Sequence, residues 1–323
     1  MTFFDMRLRR RSLDSYIQYI GRYILQLIAY FSQAVNTMNM NGISTHGTSS
    51  ALYDAHFHPA DIRISKEIPS ILQDMIQSGI RGCVANATGE HDWDAVLEIA
   101  SAHAWIRPAI GIHPWWAAGA GNGWYRKWIQ LLDEHPGCLI GEIGLDLAMR
   151  DPDIHAQREV FRLQMSEAAI RRIPATIHCI RAWKELHEEM KTFLPLESGF
   201  LLHSFNGPSE SIESWTNAGA YFSVSACEAG SYNPSRIRLL KQIPFERLLI
   251  ETDAPNRPPP EACSTHPLFD RDTGKRIHHP ADLHAALAWL SQILGLPESE
   301  LAPGLASNYF SLFGHQNAPR LNP

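Results

Sequence analysis

Cysteine is scarce in this sequence, and no C-x-x-C pair occurs in it. The five cysteines are scattered along the chain at Cys83, Cys138, Cys179, Cys227 and Cys263. Their odd number and irregular spacing argue against a disulfide framework. We therefore expect a reduced, intracellular protein, and we place it in the cytoplasm.

The chain also lacks a positive net charge. Lysine and arginine total 28 against 34 aspartate and glutamate residues, which gives a formal net charge of −6. Proteins that wrap duplex nucleic acid by charge alone are usually basic, so this composition excludes that mode of binding. If the protein acts on nucleic acid, the attraction must be local, and bound metal ions are one source of it.

An uninterrupted apolar run is missing near the N-terminus. The apolar residues there recur at helical spacing, at Ile17, Ile20, Ile24, Leu27, Ile28 and Phe31. Arg22 and Gln26 interrupt them, so we expect an amphipathic helix and no stable membrane span. An arginine cluster at 7–11 precedes this helix, and residues 36–50 have the Asn, Gly, Ser and Thr content of a linker.

Residues 1–50 are accordingly interpreted as an N-terminal extension, a basic amphipathic helix followed by a linker. Three explanations stay open: a helix on a membrane surface, a poorly ordered segment, or a start codon assigned too far upstream. In the last case Met38 or Met40 would be the true start. A secretory signal would need a small-residue cleavage site, and no clear one follows.

From residue 51 onward, short apolar runs alternate with longer amphipathic stretches. Eight runs are predicted strands, at 51–57, 80–86, 106–112, 137–143, 174–178, 199–204, 220–225 and 247–252. Helices are predicted between them, for example at 66–78, 91–103, 155–172 and 233–242. This alternation predicts an α/β fold, a closed (β/α)8 TIM barrel over residues 51–316 with a C-terminal tail at 317–323. A doubly wound sheet is the alternative, but no Gly-rich phosphate loop follows the first strand.

The first predicted strand ends in the sequence D-A-H-F-H-P at 54–59. Side chains two residues apart on a strand point the same way, so His56 and His58 share one face. Two imidazoles side by side on a rigid strand supply half of a metal site. A pair of hydrogen-bonded core or pocket histidines is the competing interpretation, and the other strand ends decide between the two.

Metal-binding residue types recur where later strands are predicted to stop. They are His113 after strand three, Glu142 in strand four, His178 in strand five, His203 in strand six and Asp253 after strand eight. The carboxyl ends of barrel strands meet at one mouth, so we expect these side chains to converge. Carboxylates in apolar runs are rarely buried unless they are paired or bind a metal, which favours a metal site.

The chain resembles the TatD family of metal-dependent deoxyribonucleases over about residues 52–314. The resemblance rests on motifs that occur in the family's order, D-A-H-F-H, G-I-H-P, G-E-I-G-L-D, I-H-C, H-S-F-N-G, E-T-D-A-P and N-Y-F-S-L-F-G. It implies that His56, His58 and Asp253 hold one divalent ion. It also implies that Asp253 orients the attacking water.

The resemblance further implies that Glu142 bridges to a second divalent ion, held by His178 and His203, and that His113 lies near the substrate phosphate. Two metal ions are therefore expected as cofactors. Histidine and carboxylate sites accept several metals, so Mg²⁺, Mn²⁺ and Zn²⁺ all remain open.

The sequence departs from the family pattern in two places. The family often has His-x-Arg after strand five, whereas Arg181 follows His178 at three residues here. The family commonly has G-K-x-N-E-P in the late loop, whereas this chain has G-K-R-I-H-H-P at 274–280. We expect loop 257–280 to set substrate choice, with Arg181, Lys275 and Arg276 as phosphate contacts. A solvated basic loop is the competing interpretation.

These expectations describe a metal-dependent hydrolase, a DNase or 3′–5′ exonuclease that cleaves phosphodiester bonds at DNA ends or in single strands with a two-metal-activated water. Two alternatives stay open: the same machinery acting on another ester, such as D-aminoacyl-tRNA, and a catalytically inactive barrel that serves as a binding module. Trp115 and Trp116 could stack bases or pack at the barrel rim. We expect a monomer.

Overall fold

Eight parallel strands form the central sheet of the protein, which a computed structural model describes over residues 51–314. The predicted extension at 1–50 and the predicted tail at 317–323 lie outside the described residues. The strands are β1 Leu52–Phe57, β2 Ile80–Asn86, β3 Ile106–Ile110, β4 Leu139–Asp146, β5 Ala175–Ile180, β6 Phe200–Leu202, β7 Ala220–Ser225 and β8 Leu248–Glu251. They pair in chain order from β1 to β8, which confirms the predicted (β/α)8 barrel.

Helices connect the strands. They are α1 Ile68–Gln77, α2 Trp93–Ala102, α3 Trp124–Glu134, α4 Ile154–Arg171, α5 Trp183–Met190, α6 Ile212–Asn217, α7 Pro234–Leu240, α8 His284–Leu294 and α9 Glu298–Phe313. The helices predicted at 66–78, 91–103, 155–172 and 233–242 are α1, α2, α4 and α7, with ends shifted by one or two residues. No helix within residues 51–314 combines the length and the apolar character that a membrane crossing requires.

The barrel closes between β1 and the turn that follows β8. The backbone N–H of Asp253 donates to the carbonyl of His56 at 2.9 Å, and the N–H of His58 donates to the carbonyl of Ala254 at 2.9 Å. Phe57 and Ala254 form a parallel bridge between these bonds. We call these backbone contacts the closing seam. The seam places the predicted metal ligands of the first and last strands side by side.

Apolar side chains fill the barrel interior. One buried cluster takes a residue from each of seven strands, at Ala55, Val84, Ala109, Leu139, Leu201, Tyr221 and Leu249. Tyr309, Leu312 and Phe313 of α9 belong to the same cluster. The C-terminal helix therefore packs against the interior of the barrel, and the interior is a core and not a channel.

The long segment after β8 folds back on itself and on the barrel. It contains a short antiparallel hairpin of β9 Leu268–Phe269 and β10 Arg276–Ile277. The buried carboxylate of Asp282 anchors it, because it accepts hydrogen bonds from the hydroxyl of Ser264 at 2.6 Å and the backbone N–H of Thr265 at 2.8 Å. The predicted functional loop is thus a structured element.

Candidate metal centre

Four histidines and two carboxylates meet where the barrel strands end. Three of them lie within strands, namely His56, Glu142 and His178. The other three lie just after strands, namely His58, His203 and Asp253. All are buried except Asp253, which is partly buried. The structure therefore brings together the six side chains that are predicted from the sequence to be metal ligands.

Glu142 lies at the centre of this group and faces a different histidine pair with each oxygen. Its Oε2 lies 3.4 Å from Nε2 of His56 and 3.4 Å from Nε2 of His58. Its Oε1 lies 3.0 Å from Nδ1 of His178 and 2.8 Å from Nε2 of His203. We call the surroundings of Oε2 site A and those of Oε1 site B.

The spacing of these atoms fits bound cations. In site A, the two Nε2 atoms are 3.1 Å apart, and Oδ1 of Asp253 lies 3.3 Å from Nε2 of His58. In site B, Nδ1 of His178 lies 3.0 Å from Nε2 of His203. Ligand atoms held at about 2.0–2.2 Å from one ion lie roughly 3.0–3.5 Å apart. Two imidazole nitrogens facing each other at this distance share at most one proton, so a cation satisfies both better.

Hydrogen bonds on the outer side of two rings determine which nitrogen faces the centre. Nδ1 of His58 donates to the carbonyl of Asn86 at 3.0 Å, and Nε2 of His178 donates to Oδ2 of Asp146 at 3.4 Å. Carbonyl and carboxylate oxygens only accept, so these outer nitrogens carry a proton, and each inner nitrogen is the one that would give its lone pair to a bound metal. Histidines that ligate metals are held in this way.

His113 has the reverse arrangement. Its Nδ1 accepts a hydrogen bond from the backbone N–H of Trp115 at 3.2 Å. Burial lowers the pKa of His113 to about 4, so the ring is neutral at pH 7 and carries its proton on Nε2. That atom lies 3.5 Å from Oε1 of Glu142. His113 therefore offers the centre a hydrogen-bond donor and not a metal-binding lone pair.

Two buried carboxylates support the ligands of site B from behind, and neither was predicted from the sequence as part of the site. Asp146 accepts a hydrogen bond from Nε2 of His178, as described above. Oε1 of Glu251 lies 3.5 Å from Nδ1 of His203, and the second oxygen of Glu251 accepts a short hydrogen bond from the hydroxyl of Ser223. Such partners orient metal-ligating rings and raise their basicity.

A third buried carboxylate, Asp54, orders the backbone of site A. It accepts hydrogen bonds from the backbone N–H of Thr252 at 3.0 Å and from the Thr252 hydroxyl at 2.6 Å. It also accepts one from the backbone N–H of His56 at 3.1 Å. Asp253 follows with a φ of 56°, in the left-handed region that aspartate tolerates better than most residues. Asp54 therefore helps to set the turn that presents Asp253.

The electrostatics of the centre favour ionised carboxylates and attract positive charge. Burial raises the pKa of Glu142, but the surrounding imidazoles, His113 first among them, hold it well below its usual range. Burial opposes ionisation of Asp253 as well, yet the hydrogen bond from His58 keeps its pKa below the usual value. Burial lowers the pKa of His58, but Asp253 and Glu142 outweigh burial and raise it to about 9.

The centre lacks lysine and arginine side chains that could balance these carboxylates. Within residues 51–314, no lysine or arginine forms an ion pair with Glu142, Asp146, Glu251 or Asp253, whose ion-pair partners are histidines. A buried charge needs a paired partner or a metal. Together with the converging lone pairs, this shows a group of residues suited to divalent metal binding.

Sites A and B open into a cavity of about 650 Å³. Side chains of both sites, with His113, form its inner wall. Trp115, Trp116, Arg63 and Arg257 also line it. Neither arginine was expected from the sequence, because each lies in an irregular loop where no periodic pattern indicates the direction of a side chain.

Three predicted phosphate contacts do not line this cavity in the described part of the chain. Arg181 and Lys275 are exposed. The guanidinium of Arg276 donates to the carbonyl of Pro259 and helps to hold the late loop together. That loop reaches the cavity through Arg257 instead.

Known proteins match this chain over most of its length. A family model for TatD-related DNases matches residues 53–314. The 3′-5′ ssDNA/RNA exonuclease TatD of Enterobacter lignolyticus is 25% identical over 272 residues, which cover 81% of this chain and 99% of that protein. The protein of the same name from Erwinia tasmaniensis is 26% identical over 227 residues, which cover 68% of this chain and 87% of that protein.

Solved structures share the fold. YJJV, a TatD homolog from Escherichia coli K12, aligns with a TM-score of 0.73 at 24% identity and covers 82% of this chain and 98% of its own. A TatD family hydrolase from Entamoeba histolytica aligns with a TM-score of 0.72 at 20% identity and covers 83% and 100%. At these levels of sequence identity, the structural likeness establishes the barrel fold alone. The match of the family model to nearly the whole described chain shows that this protein belongs to the TatD-related DNase family.

Proposed function

We propose that the protein is a metal-dependent nuclease that hydrolyses phosphodiester bonds from the 3′ end of single-stranded nucleic acid. Its family supports a hydrolase acting on ester bonds, and the relatives named 3′-5′ ssDNA/RNA exonucleases support this substrate and polarity. Glu142 carries the proposal, because its two oxygens face two separate histidine pairs. A carboxylate placed in this way could offer one oxygen to each of two ions.

Two divalent ions suit this centre better than one. Site A would use His56, His58 and Asp253, site B would use His178 and His203, and Glu142 would serve both. Glu142, Asp146, Glu251 and Asp253, when ionised, contribute a charge of −4, and two divalent ions balance it. A single ion would leave −2, which repels a phosphodiester. The donor set accepts Mg²⁺, Mn²⁺ or Zn²⁺.

When bound, the ions supply an activated water and polarise the scissile phosphate. Asp253 would be placed to take the proton of that water, because its side chain lines the cavity and is 13% exposed, whereas that of Glu142 is 3% exposed. A hydrogen bond from the Asn256 amide to Oδ1 of Asp253, at 3.3 Å, holds the carboxylate in place. Asp253 is thus the proposed general base, and Glu142 the proposed bridge.

Donors on the cavity wall would hold the substrate phosphates. His113 presents its Nε2–H beside Glu142, as described above. Arg63 is held by Asp61 at 2.9 and 2.6 Å and by Asn256 at 2.7 Å, so its charge is in part compensated. Arg257 is exposed and forms no ion pair with any residue in 51–314. Arg257 is therefore the cation best placed to meet a backbone phosphate.

Arg181, Lys275 and Arg276 stay predictions as phosphate contacts, and from their positions they would contact only parts of a strand outside the cavity. A D-aminoacyl-tRNA substrate is not favoured, because neither the family nor the relatives named above point to it. An inactive binding module is disfavoured by the convergence of six potential ligands. A monomeric state and a cytoplasmic location also stay predictions.

One assay tests the proposed function. The purified protein is stripped of metal, supplied with Mg²⁺, Mn²⁺ or Zn²⁺, and incubated with 5′-labelled single-stranded DNA, a blunt duplex and D-aminoacyl-tRNA. We expect a ladder that shortens the single strand from its 3′ end and disappears with chelator. Glu142→Gln, purified in parallel, reveals any contaminating nuclease. Release of the amino acid without DNA cleavage would overturn the proposal.

Arg257→Ala is expected to weaken single-strand binding and to reduce its salt dependence. Losing one phosphate contact should lower the slope of log affinity against log salt concentration by about 0.7. The measurement is fluorescence anisotropy of a labelled oligonucleotide at several salt concentrations, with chelator present to prevent cleavage. Lys275→Ala, at a position also predicted to contact phosphate, is measured in parallel, and Lys191→Ala, which removes an exposed cation that does not line the cavity, is the matched control. If only Lys275→Ala changes the slope, the phosphate grip belongs to Lys275.

A further inference from the structure

A tryptophan at the cavity rim reaches the metal centre through one carboxylate. The indole Nε1–H of Trp115 donates to Oδ2 of Asp146 at 2.9 Å. The same oxygen also accepts a hydrogen bond from Nε2 of His178 at 3.4 Å. Nδ1 of His178 in turn lies 3.0 Å from Glu142. A continuous chain of contacts thus connects the rim with site B.

Most of Asp146 is held in place by partners other than Trp115 and His178. Its Oδ1 accepts a hydrogen bond from the backbone N–H of Ala148 at 2.7 Å. Its main chain is bound on both sides by the amide of Gln157, at 2.8 and 3.0 Å. Oδ2 is the oxygen that accepts from the Trp115 indole and faces the His178 imidazole. Within the described chain, removing the indole leaves His178 as the remaining donor to that oxygen.

About half of the surface of Trp115 is open to a ligand. Trp115 is 52% exposed and lines the cavity, and its contact with His113 is edge-on, with ring centroids 4.5 Å apart. Trp116 beside it is 47% exposed. Arg63 and Arg257 line the same cavity. A flat, apolar group attached to an anion suits these surroundings, and an unpaired nucleobase on its phosphate backbone is such a group.

We propose that Trp115 is both a stacking platform for an unpaired base and a positioning residue for His178, acting through Asp146. This inference rests on the proposed nuclease function and extends it, since it links substrate binding to the geometry of a metal ligand. A base stacked on the indole would restrain the indole. The indole would in turn restrain Asp146, which holds His178 in its ligating orientation. Bases inside a duplex are already stacked on both faces and cannot stack on Trp115, so single strands are favoured over duplex.

Phenylalanine and alanine separate the two roles. Trp115→Phe keeps an aromatic face but loses the N–H, so the KM for single-stranded DNA should stay within about threefold of wild type. Its Mn²⁺ affinity at one site should fall by about 10-fold, the lower end of the loss seen when an outer partner of a ligand is removed. Trp115→Ala should show the same Mn²⁺ loss and raise KM by at least about 5-fold, the value of one stacked base.

Trp116 supplies the matched control. It is as exposed as Trp115, but its indole N–H has no hydrogen-bond acceptor among residues 51–314. Trp116→Phe should therefore leave Mn²⁺ affinity unchanged. In an Asp146→Asn background, Trp115→Phe should cause no further loss of Mn²⁺ affinity, because both changes interrupt the same chain of contacts.

Mn²⁺ affinity is measured by calorimetry on each metal-free variant, and KM and kcat by the single-strand assay. If Trp115→Phe binds Mn²⁺ as tightly as Trp116→Phe, the positioning role is wrong. If Trp115→Ala keeps the wild-type KM, the stacking role is wrong. If wild-type protein cleaves no DNA, the proposed function and the stacking role fail together. The Mn²⁺ titration needs no turnover and still decides the positioning role.

Discussion

Asp253→Asn is expected to lower kcat by about 10²–10⁴-fold, the usual contribution of a general base, while the fold and KM stay close to wild type. Asparagine keeps the shape of the side chain and can still offer one oxygen to a metal. It cannot take a proton from water. The measurement is kcat for a single-stranded substrate over a range of metal concentrations, so that weaker metal binding is separated from the loss of the base.

Asp272→Asn is the matched control for this experiment. It removes one negative charge from an exposed position in the loop that follows the same strand, and it should leave kcat unchanged. If Asp253→Asn retains near-normal kcat at saturating metal, Asp253 is not the base. Glu142 would then be the remaining carboxylate among the proposed ligands, and its role as a pure bridge would have to be abandoned.

Glu142→Gln is expected to weaken metal binding by more than about 100-fold and to remove nearly all activity. Loss of an outer partner already costs about 10–100-fold in metal affinity, and Glu142 is proposed to contact both ions directly. The neutral amide also removes one of the charges that balance the ions. The measurement is the number of ions bound per chain, by elemental analysis and calorimetry, for wild type and variant.

Single histidine variants show which site is lost. His178→Ala should weaken one ion and leave site A loaded, and His56→Ala should do the opposite. His91→Ala removes an imidazole that lines the same cavity but stands apart from both sites, so it should bind metal as wild type does. If wild-type protein binds one tight ion and gains no activity from more, the two-ion proposal is wrong.

The barrel could be predicted from the sequence because its signal is regular. Buried parallel strands are short apolar runs, and each is separated from the next by a helical stretch. The metal-binding residue types sit at the ends of those runs, and one mouth collects all of them in a barrel. His56, Glu142 and Asp253 could therefore be placed together without coordinates. Distances and ring orientations could not, because they depend on packing between distant segments.

The alternation of side chains along the strands could have identified the three supporting carboxylates, and Asp146 was missed because strand four was predicted too short. Asp54, Asp146 and Glu251 lie an even number of residues from a proposed ligand on the same strand or its extension, and so share its face. Strand four was predicted to stop at residue 143, but β4 continues to Asp146 and pairs with β5. Gly144 follows directly after the predicted end of that strand. It lies where a Cβ would collide with the main chain of His178, so this glycine permits a close approach of two strands.

The substrate contacts were the least predictable part of the site. Lys275 and Arg276 were nominated because they are basic and lie in a long loop, but charge and loop length do not determine direction. A hairpin carries both away from the cavity lining. Arg63 and Arg257 lie where the chain turns irregularly after β1 and β8, at positions that only the folded backbone defines.

The closing seam gives metal binding a consequence beyond catalysis. His58 comes from the first strand and Asp253 from the last, roughly two hundred residues later, and their backbones meet in the seam. An ion held by both side chains would act as a cross-link between the two ends of the sheet. A ligand that binds only the folded state at a hundred times its Kd adds about 2.7 kcal/mol to the free energy of unfolding. Metal supply would then govern how long the enzyme survives proteolysis as well as how fast it works.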